Sequence, residues 1–391
     1  MKPPHQKMPD KALKTIWLTR RDGAHQRHEP LPQIRCDFIT RSGLHPTERS
    51  LLEMLSELRD RIQPGAALFA GGRTGAAPIA ATLMFPEHRV GCWVLDVHHG
   101  RAIEQNLDAN DLRGKVDLRC VPYPFAPGNL PPTLVAISLS AGGISGELAL
   151  SVLEETVRLS AAGALVILAS ELPLGPLFKQ MRGMLVRCGC KGCVAWGWKA
   201  ESPRRVRNFE ARFRASLPGH EPLELLTIPG VFCHRRADMG GLALAEIAVQ
   251  GVREGDRLVD MGCGCGMVGV LIAQAVKGVR CRFVDSNARA IEVARRNAKS
   301  CGIVGAEFLL SDGGCGGIAD CFVGNPPYFG EWRIAELFVE TAAKVLRPGG
   351  KAWLVATQGE RLREVAARHL RVVSEVGRRG YTVIVCTKEG R

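Results

Sequence analysis

The amino-acid sequence predicts an α/β protein made of two tandem Rossmann-like domains, each with a doubly wound parallel sheet. Apolar runs of four to six residues alternate with longer segments of helical period, such as 288–299 and 334–346, and this alternation is typical of βαβ units. In two places, within 65–75 and 255–266, an apolar run breaks into glycines. A strand that ends in a glycine turn is the usual entrance to a nucleotide-like ligand site.

The sequence contains an internal repeat with a spacing of about 188 residues, which is the length of a whole domain. The tetrapeptide Arg-Ala-Ile-Glu occurs at 101–104 and again at 289–292, a few residues after Asp96 and Asp285, respectively. A glycine that leads into an apolar run completes both copies. Three landmarks in the same order indicate that one α/β domain has been duplicated.

The repeat and the local composition predict four segments along the chain. Residues 1–34 are polar, contain several prolines and histidines, and are expected to be disordered. A first domain is predicted over 35–200 and a second over 220–391. Residues 201–219 between them are expected to form a basic linker.

The composition favours a globular protein with a polyanionic partner. Of the 391 residues 46% are hydrophobic and 23% are charged, and the net charge is +13, which favours nucleic acid over a membrane surface as the partner. No apolar stretch approaches the ~20 residues that cross a bilayer, and the N-terminus lacks the apolar region of a signal peptide. We therefore expect a cytoplasmic protein with no membrane partner, and a monomer because two domains are already fused.

Cationic and aromatic side chains are concentrated in residues 179–214. This segment holds ten Lys or Arg residues and only two acidic ones. Such a mixture can contact phosphates and stack on unpaired bases, although a solvated charged face is the alternative. The candidate RNA-binding residues are Arg204, Arg205, Arg207, Trp196 and Trp198.

Three cysteines in the same segment form a C-x-C-x-x-C cluster. Cys188, Cys190 and Cys193 could supply three thiolates, but structural zinc usually takes four ligands and no fourth is adjacent. Buried or loop thiols are the alternative. We predict no metal site.

The second copy carries a constellation that fits S-adenosylmethionine. Asp260 closes a predicted strand, and an acid at this point suits a cationic cofactor and repels a pyrophosphate. Asp285 ends the next strand, where a carboxylate can accept two hydrogen bonds from a ribose diol. Asp312 follows a third strand and could accept a hydrogen bond from the adenine amine. The glycines of the turn are Gly262, Gly264 and Gly266.

The most specific motif is Asn325-Pro326-Pro327-Tyr328 at the end of a fourth apolar strand. Two prolines fix φ and remove N–H donors, so the Asn oxygen and a nearby carbonyl can act as paired acceptors for an NH2 group. Tyr328 would stack on a planar target group. An Asn-Pro turn that merely closes a strand is the structural alternative. Because the motif follows three acids in strand order, we predict that these four residues are catalytic.

The second half resembles class I S-adenosylmethionine-dependent methyltransferases with an N-P-P-[YF] motif. The whole chain is similar to the tandem-domain family of ribosomal RNA guanine-N2 methyltransferases, in which a degenerate N-terminal copy precedes an active C-terminal copy. The Gly-Val-Phe and Asp-x-Gly elements within 230–240 carry this resemblance, which implies that Asp238 closes over the methionine side of the cofactor. After the motif the sequence continues Phe329-Gly330, where the family commonly has Phe-His.

The resemblance implies methyl transfer to the exocyclic N2 of a guanine in ribosomal RNA or in a ribosomal subunit. The same motif also serves adenine-N6 methyltransferases and protein glutamine-N5 methyltransferases. A non-catalytic RNA-binding or ribosome-assembly protein is the alternative of another class. An intact Asn-Pro-Pro-Tyr motif that follows three acids in strand order argues against a non-catalytic protein.

The first copy is expected to have lost the reaction. Ala70 stands where the second copy has Asp260, and 138–141 replaces the Asn-Pro-Pro-Tyr motif without an equivalent acceptor pair. Asp96 is predicted to be the one survivor of the cofactor set. The first domain is therefore expected to recognise RNA and to support the second.

Overall fold

The computed structural model of the protein describes residues 44–139, 145–202, 205, 207–327 and 332–390, together with two short strands near the N-terminus. The chain divides into two compact units, Met1–Asn208 and Phe209–Arg391. This boundary falls within the predicted linker, 201–219. Residues 1–34 were predicted to be disordered. Apart from those in the two short strands, they lie outside the described residues.

The first unit alternates helices and strands. Its elements are β1 (Lys14–Ile16), β2 (Ile34–Cys36), α1 (Pro46–Glu57), β3 (Ala66–Gly71), α2 (Ala76–Met84), β4 (Arg89–Val94), α3 (Val97–Ala109), β5 (Val116–Cys120), β6 (Pro132–Leu139), α4 (Gly146–Leu159), β7 (Leu165–Ser170), α5 (Leu174–Gln180), β8 (Leu185–Lys191) and β9 (Val194–Lys199). Strands β1 and β2 pair with each other, and the others form a seven-stranded sheet in the order β5-β4-β3-β6-β7-β9-β8. In this sheet β9 pairs antiparallel with both β7 and β8, and the other pairings are parallel.

The second unit repeats this plan after an antiparallel hairpin. Its elements are β10 (Ala211–Ala215), β11 (Leu223–Thr227), α6 (Met239–Ala248), β12 (Arg257–Met261), α7 (Met267–Ala275), β13 (Arg280–Asp285), α8 (Ala288–Ser300), β14 (Glu307–Leu310), β15 (Ala319–Gly324), α9 (Arg333–Val345), β16 (Leu346–Ala356), α10 (Gly359–Ala366), β17 (Arg371–Arg378) and β18 (Tyr381–Thr387). The sheet order is β14-β13-β12-β15-β16-β18-β17. The two sheets therefore have the same topology, and the predicted duplicated α/β fold is confirmed.

Burial explains why the central strands are continuous apolar runs. Helices cover both faces of each parallel sheet, so residues on both sides of a central strand are removed from water. In β12, for example, Leu258 and Val259 point to opposite faces and both are about 1–2% exposed. The strand order reverses beside β12, and ligands of doubly wound sheets bind at such a reversal, beyond the carboxyl ends of the strands. Among the described helices, none is both long and apolar enough to cross a membrane.

Packing corrects the register that the tetrapeptide repeat suggested. Ile103 of α3 lies against Gly75, which precedes α2, whereas the residue of α8 that lies against the equivalent Gly266 is Ala294. The two Arg-Ala-Ile-Glu segments are therefore three residues out of register. Their identity does not mark equivalent positions, because the contact with the glycine turn sets the alignment of the helices.

Two equivalences in the first unit change with this register. Counted from Gly75 and Gly266, which precede α2 and α7, the position of Asp260 is occupied by Phe69 rather than by Ala70. In the same register Val94, the last residue of β4, occupies the position of Asp285, the last residue of β13.

Asp96 is not a survivor of the cofactor set, because it caps α3 by accepting the N–H of His98. Ala136 pairs with Phe69 and Val323 pairs with Asp260. Ser138 therefore lies at the position of Asn325, as the sequence predicted.

Candidate functional site

A cleft lies at the carboxyl ends of the central strands of the second unit. It is lined by residues from the loop before α6, from the end of β12 and the turn after it, and from the end of β15. The predicted site residues among them are Asp238, Asp260, Gly262, Gly264 and Asn325. The structure therefore brings together residues that are distant in the chain and that the sequence analysis grouped only because they follow successive predicted strands.

The glycine turn between β12 and α7 adopts left-handed backbone conformations at Gly262, Gly264 and Gly266, where φ is 66°, 55° and 79°. Side chains with a Cβ rarely adopt such values. The N–H of Gly262 donates to the carbonyl of Val284 at 2.8 Å, and that of Gly264 donates to Asp285 Oδ2 at 2.9 Å. These two donors are therefore not available to a pyrophosphate.

Asp260 is a buried carboxyl at the end of β12, only 2% exposed. Its Oδ2 accepts the N–H of Gly269 in α7 at 2.9 Å. Burial raises the pKa of Asp260 to about 7; the charge of Asp285 adds to the shift, while the hydrogen bond from Gly269 opposes it. A ligand that places positive charge here would favour the ionised form.

Asp285 and Asp312 follow the next two strands, β13 and β14. Asp285 Oδ1 accepts the N–H of Asn287 at 2.9 Å while Oδ2 holds the glycine turn. Each carboxylate oxygen has a second lone pair, so Asp285 can still accept from a diol. Asp312 is half-buried. Both acids lie beside the cleft rather than in its lining.

The side chains of Asn325 and Asp238 are joined by a hydrogen bond that the sequence did not predict. Asn325 Nδ2 donates to Asp238 Oδ2 at 2.7 Å. The same carboxylate caps α6 by accepting the N–H groups of Gly240 and Gly241, the latter at 2.6 Å. Because an ionised carboxylate only accepts, it fixes which end of the amide faces it. Asn325 Oδ1 is thereby left as an oriented acceptor at the cleft.

The rest of the motif is described only in part. Pro326 is buried and Pro327 is half-buried, which fits a rigid exit from β15. Tyr328 lies outside the described residues. Gly240 allows the close packing around Asn325, because a Cβ there would lie 3.3 Å from Asn325 Nδ2 and 3.1 Å from the ring of Tyr381.

The predicted RNA-binding residues lie in or next to the first unit. Trp196 and Trp198 are on β9 and pack, partly buried, against the core of this unit. Arg204 lies outside the described residues, and Arg205 is exposed. Arg207 is held within the unit: its Nε lies 2.8 Å from the buried Glu154, and its Nη2 donates to the carbonyl of Gln180 at 2.8 Å. The structure thus gives Arg207 a structural role.

Other cations of the basic segment pair with acids outside it. Lys191 lies 2.6 Å from Glu57, and Arg212 lies 2.9 Å from Glu224. The sequence count of charges within 179–214 therefore overstated the local positive field. Lys179, Arg182 and Arg187 remain exposed cations on the first unit.

We expect Arg207→Gln to destabilise the first unit by about 2–4 kcal/mol, because it leaves the fully buried carboxylate of Glu154 without its cation. Denaturant unfolding measures the loss. Arg212→Gln is the control, since its ion pair with Glu224 is exposed at both ends and should contribute less than about 1 kcal/mol. Equal stability of the two variants would contradict the structural role of Arg207.

The thiols do not form a metal centre in the part of the chain that the structure describes. Cys188, Cys190 and Cys193 are not brought together there, and the one group of His, Cys, Asp or Glu residues close enough to share an ion is Glu336, Glu340 and His369. Burial raises the pKa of Cys265 to about 12 and that of Cys263 well above its usual value. Both thiols of the glycine turn are therefore protonated near neutral pH and poor nucleophiles.

In the first unit a carboxylate lies against the equivalent glycine turn. Glu48 is three residues beyond the cap of α1, as Gly241 is three residues beyond the cap of α6. Its Oε1 accepts the backbone N–H groups of Arg73 and Thr74 at 2.9 and 3.0 Å, and the side chain is only 3% exposed. The first unit therefore places a carboxylate of its own against the turn, where the second unit has Gly241 in the lining of the cleft.

Comparison with known proteins places these features in context. Residues 222–385 match the family described as Methyltransferase small domain. Ribosomal RNA small subunit methyltransferase C of Pseudomonas aeruginosa is 30% identical over 232 residues, 53% of this chain and 68% of that protein. Ribosomal RNA large subunit methyltransferase G of Streptomyces coelicolor is 33% identical over 142 residues, 33% of this chain and 36% of that protein.

A solved structure has the same fold over nearly the whole chain. It is the T. thermophilus 16S rRNA N2 methyltransferase in complex with AdoMet and guanosine, with a TM-score of 0.69 and 20% sequence identity. The likeness covers 96% of this chain and 98% of that one. The tandem arrangement of two Rossmann-like methyltransferase domains is therefore shared, including the first unit.

Proposed function

The chain belongs to the family of ribosomal RNA small subunit methyltransferase C, and from this premise we propose that it transfers a methyl group from S-adenosylmethionine to the exocyclic N2 of a guanine in ribosomal RNA. The observation that carries the proposal is the hydrogen bond of Asn325 Nδ2 to Asp238. It leaves the amide oxygen of Asn325 as an oriented acceptor for an NH2 group, beside the glycine turn where the cofactor would bind.

The residues of the second unit fit S-adenosylmethionine. Asp238 and Asp260 place two carboxyl groups in the cleft, where a sulfonium and an ammonium group would be stabilised. Asp285 lies at the strand end where a ribose diol binds in Rossmann-like folds, and Asp312 follows the next strand, in reach of a base. The N–H groups of Gly262, Cys263 and Gly264 are engaged within the protein, which argues against a dinucleotide.

Positioning is the main contribution that we assign to the chain in catalysis. The cofactor, when bound, supplies an electrophilic methyl group. Asn325 Oδ1 and the Pro326 carbonyl would accept the two N–H bonds of the guanine amine, so that the nitrogen lone pair points at the methyl carbon. Tyr328 would stack on the base. The amine is weakly basic, and its proton leaves to solvent after transfer, so no strong general base is needed.

We propose that the first unit recognises RNA and does not take part in chemistry. Phe69 and Ser138 stand at the positions of Asp260 and Asn325, and Glu48 occupies the equivalent cleft; these replacements support the proposal. Exposed Lys179, Arg182 and Arg187 would contact phosphates. The target guanine must be unpaired or flipped out to reach Asn325. We further propose that the protein acts in the cytoplasm, where its RNA substrate is found, and as a monomer.

The test is transfer of radiolabelled methyl from S-adenosylmethionine to total RNA, DNA and protein taken from cells that lack this gene. We expect label in ribosomal RNA, recovered as N2-methylguanosine after nucleoside analysis. Label in N6-methyladenine or in protein glutamine would overturn the proposed substrate. Measurable cofactor binding with no label in any fraction would favour a non-catalytic RNA-binding protein.

Asp285→Ala is expected to raise the Kd for S-adenosylmethionine by about tenfold to hundredfold, since it removes the acceptors of the ribose hydroxyls and one tie of the glycine turn. Isothermal titration calorimetry measures the effect. Asp285→Asn is the matched variant, because it keeps the shape and part of the accepting capacity and should lose less. An unchanged Kd in Asp285→Ala would count against the ribose assignment.

Asp238 either positions Asn325 or contacts the methionine side of the cofactor, and the variant Asp238→Ala distinguishes these two roles. If it acts through Asn325, Asp238→Ala should lower kcat by at least about tenfold with little change in the cofactor Kd, because the amide is no longer fixed. The lost helix cap should cost about 1 kcal/mol of stability. Asp238→Asn, which can still accept, should recover part of kcat. A raised cofactor Kd with normal kcat would instead support contact with the methionine side.

A further inference from the structure

The cleft of the second unit contains one cationic side chain among the residues that line it and that the structure describes. That side chain is Arg236. It belongs to the loop between β11 and α6, and the other charged side chains of the lining are the carboxyl groups of Asp238 and Asp260. The sequence motifs did not single it out.

The loop holds Arg236 in a tight turn. Its N–H donates to the carbonyl of Cys233 at 3.2 Å, and Cys233 and Arg235 have positive φ values of 53° and 75°. Residues with a Cβ pay about 1 kcal/mol or more for such conformations, which persist where the surroundings enforce them and are common at ligand sites. The strained turn brings Arg236 to the cleft, two residues before Asp238.

The backbone donors around the cleft are largely engaged within the protein. The N–H groups of Gly262 and Cys263 both donate to the carbonyl of Val284, and that of Gly264 donates to Asp285. At the amino end of α7, the N–H of Gly269 donates to Asp260.

Backbone N–H donors at the amino end of α6 are also engaged. Asp238 accepts the N–H groups of both Gly240 and Gly241. Six backbone donors at the cleft are therefore already occupied, and a cationic side chain is the partner that an anionic group can still find there.

Resting on the proposed cofactor, we propose that Arg236 binds the α-carboxylate of S-adenosylmethionine. The amino-acid end of this cofactor carries one ammonium and one carboxylate. Asp238 and Asp260 suit the ammonium and the sulfonium but repel the carboxylate. The planar fork of a guanidinium matches a carboxylate in a bidentate geometry, and Arg236 is the residue that supplies it. Arg236 thus makes an acidic cleft accept a zwitterion.

Removal of Arg236 should reverse the protein's preference between S-adenosylmethionine and its decarboxylated analogue, because the two compounds differ in charge. The wild-type protein should bind S-adenosylmethionine more tightly than its decarboxylated analogue, which keeps the sulfonium and the amine. In Arg236→Gln the Kd of S-adenosylmethionine should rise about tenfold to hundredfold. The Kd of the analogue should stay within about twofold of its wild-type value or fall, because a repelling cation has gone.

The experiment is calorimetric titration of the full-length protein with both compounds, in the absence of any RNA. Arg235→Gln is the matched control, since Arg235 is an exposed neighbour outside the cleft lining and its removal should change neither Kd. Arg236→Lys keeps the charge but not the fork, so it should recover part of the affinity for S-adenosylmethionine. Thermal unfolding of each variant checks that it is folded.

The outcomes separate this inference from the proposed function. Equal weakening of both compounds in Arg236→Gln, or no weakening of either, overturns the assignment of Arg236 while the cofactor stands. Failure of the folded wild-type protein to bind S-adenosylmethionine overturns the cofactor itself and this inference with it.

Discussion

Asn325→Ala should reduce kcat by at least about 10²-fold while leaving the Kd for S-adenosylmethionine within about twofold of the wild-type value. The variant removes the amide oxygen that would accept from the guanine amine, so the lone pair is no longer aimed at the methyl group. The cofactor is expected to keep its contacts, because Asp260, Asp285 and the glycine turn are untouched. Single-turnover methylation of ribosomal RNA and calorimetric titration of the cofactor measure the two quantities separately.

Two further variants sharpen this test. Asn110→Ala makes the same change in the first unit, at the end of α3, and should leave kcat unchanged. Asn325→Asp should be as inactive as Asn325→Ala, because a second carboxylate would face Asp238, which the amide nitrogen now approaches to 2.7 Å. A cofactor Kd that rises more than about tenfold in Asn325→Ala would contradict the division of roles, and retained turnover would remove Asn325 from the mechanism.

The features that were predicted from the sequence are local in the chain. A strand that ends in an acid and a glycine turn is visible in nine consecutive residues, 258–266, and the structure places Asp260, Gly262 and Gly264 at the cleft. The topology also followed, because alternating strands and helices admit few connections in a parallel sheet. Local signals of this kind depend on backbone preferences that neighbouring residues carry themselves.

The contacts that the sequence did not predict join distant parts of the chain. Asp238 and Asn325 are 87 positions apart, and Arg207 and Glu154 are 53 apart. A single sequence does not show which acid will contact which amide or which cation, because these contacts depend on how the helices pack on the sheet. The basic segment illustrates the consequence, because part of its charge is neutralised by acids that lie elsewhere in the chain, such as Glu57.

The alignment of the two copies that the tetrapeptides predicted is wrong for the same reason. Identical tetrapeptides suggested one register, but Ala294 and Ile103 are the residues that touch the glycine turns. Asn297 and Asn106 support the packing register, because they donate to the carbonyls of Cys265 and Thr74, respectively, within the same turns. Packing and hydrogen bonding define which residues are equivalent, and short stretches of identity do not.

Binding of S-adenosylmethionine should weaken as the pH falls below 7, because Asp260 must be ionised to meet a cationic ligand and burial raises its pKa to about 7 in the free protein. If only the ionised form binds, the Kd rises about tenfold for each pH unit below the pKa, and binding near pH 6 releases close to one proton. Calorimetry in buffers of different ionisation enthalpy measures both effects. Asp260→Asn should bind weakly and without this pH dependence.

The same carboxyl group gives the opposite trend in the stability of the free protein. Its pKa is raised on folding from the model-compound value of 3.8 to about 7, so the folded state binds a proton that the unfolded chain has already lost. This contribution to stability is fully present below pH 3.8 and disappears as the pH rises through 7, with a total on the order of a few kcal/mol. Asp260→Asn should flatten the decline between these values. If wild-type protein and variant lose stability in parallel over this range, Asp260 is already ionised in the free protein and its burial costs less than the structure indicates.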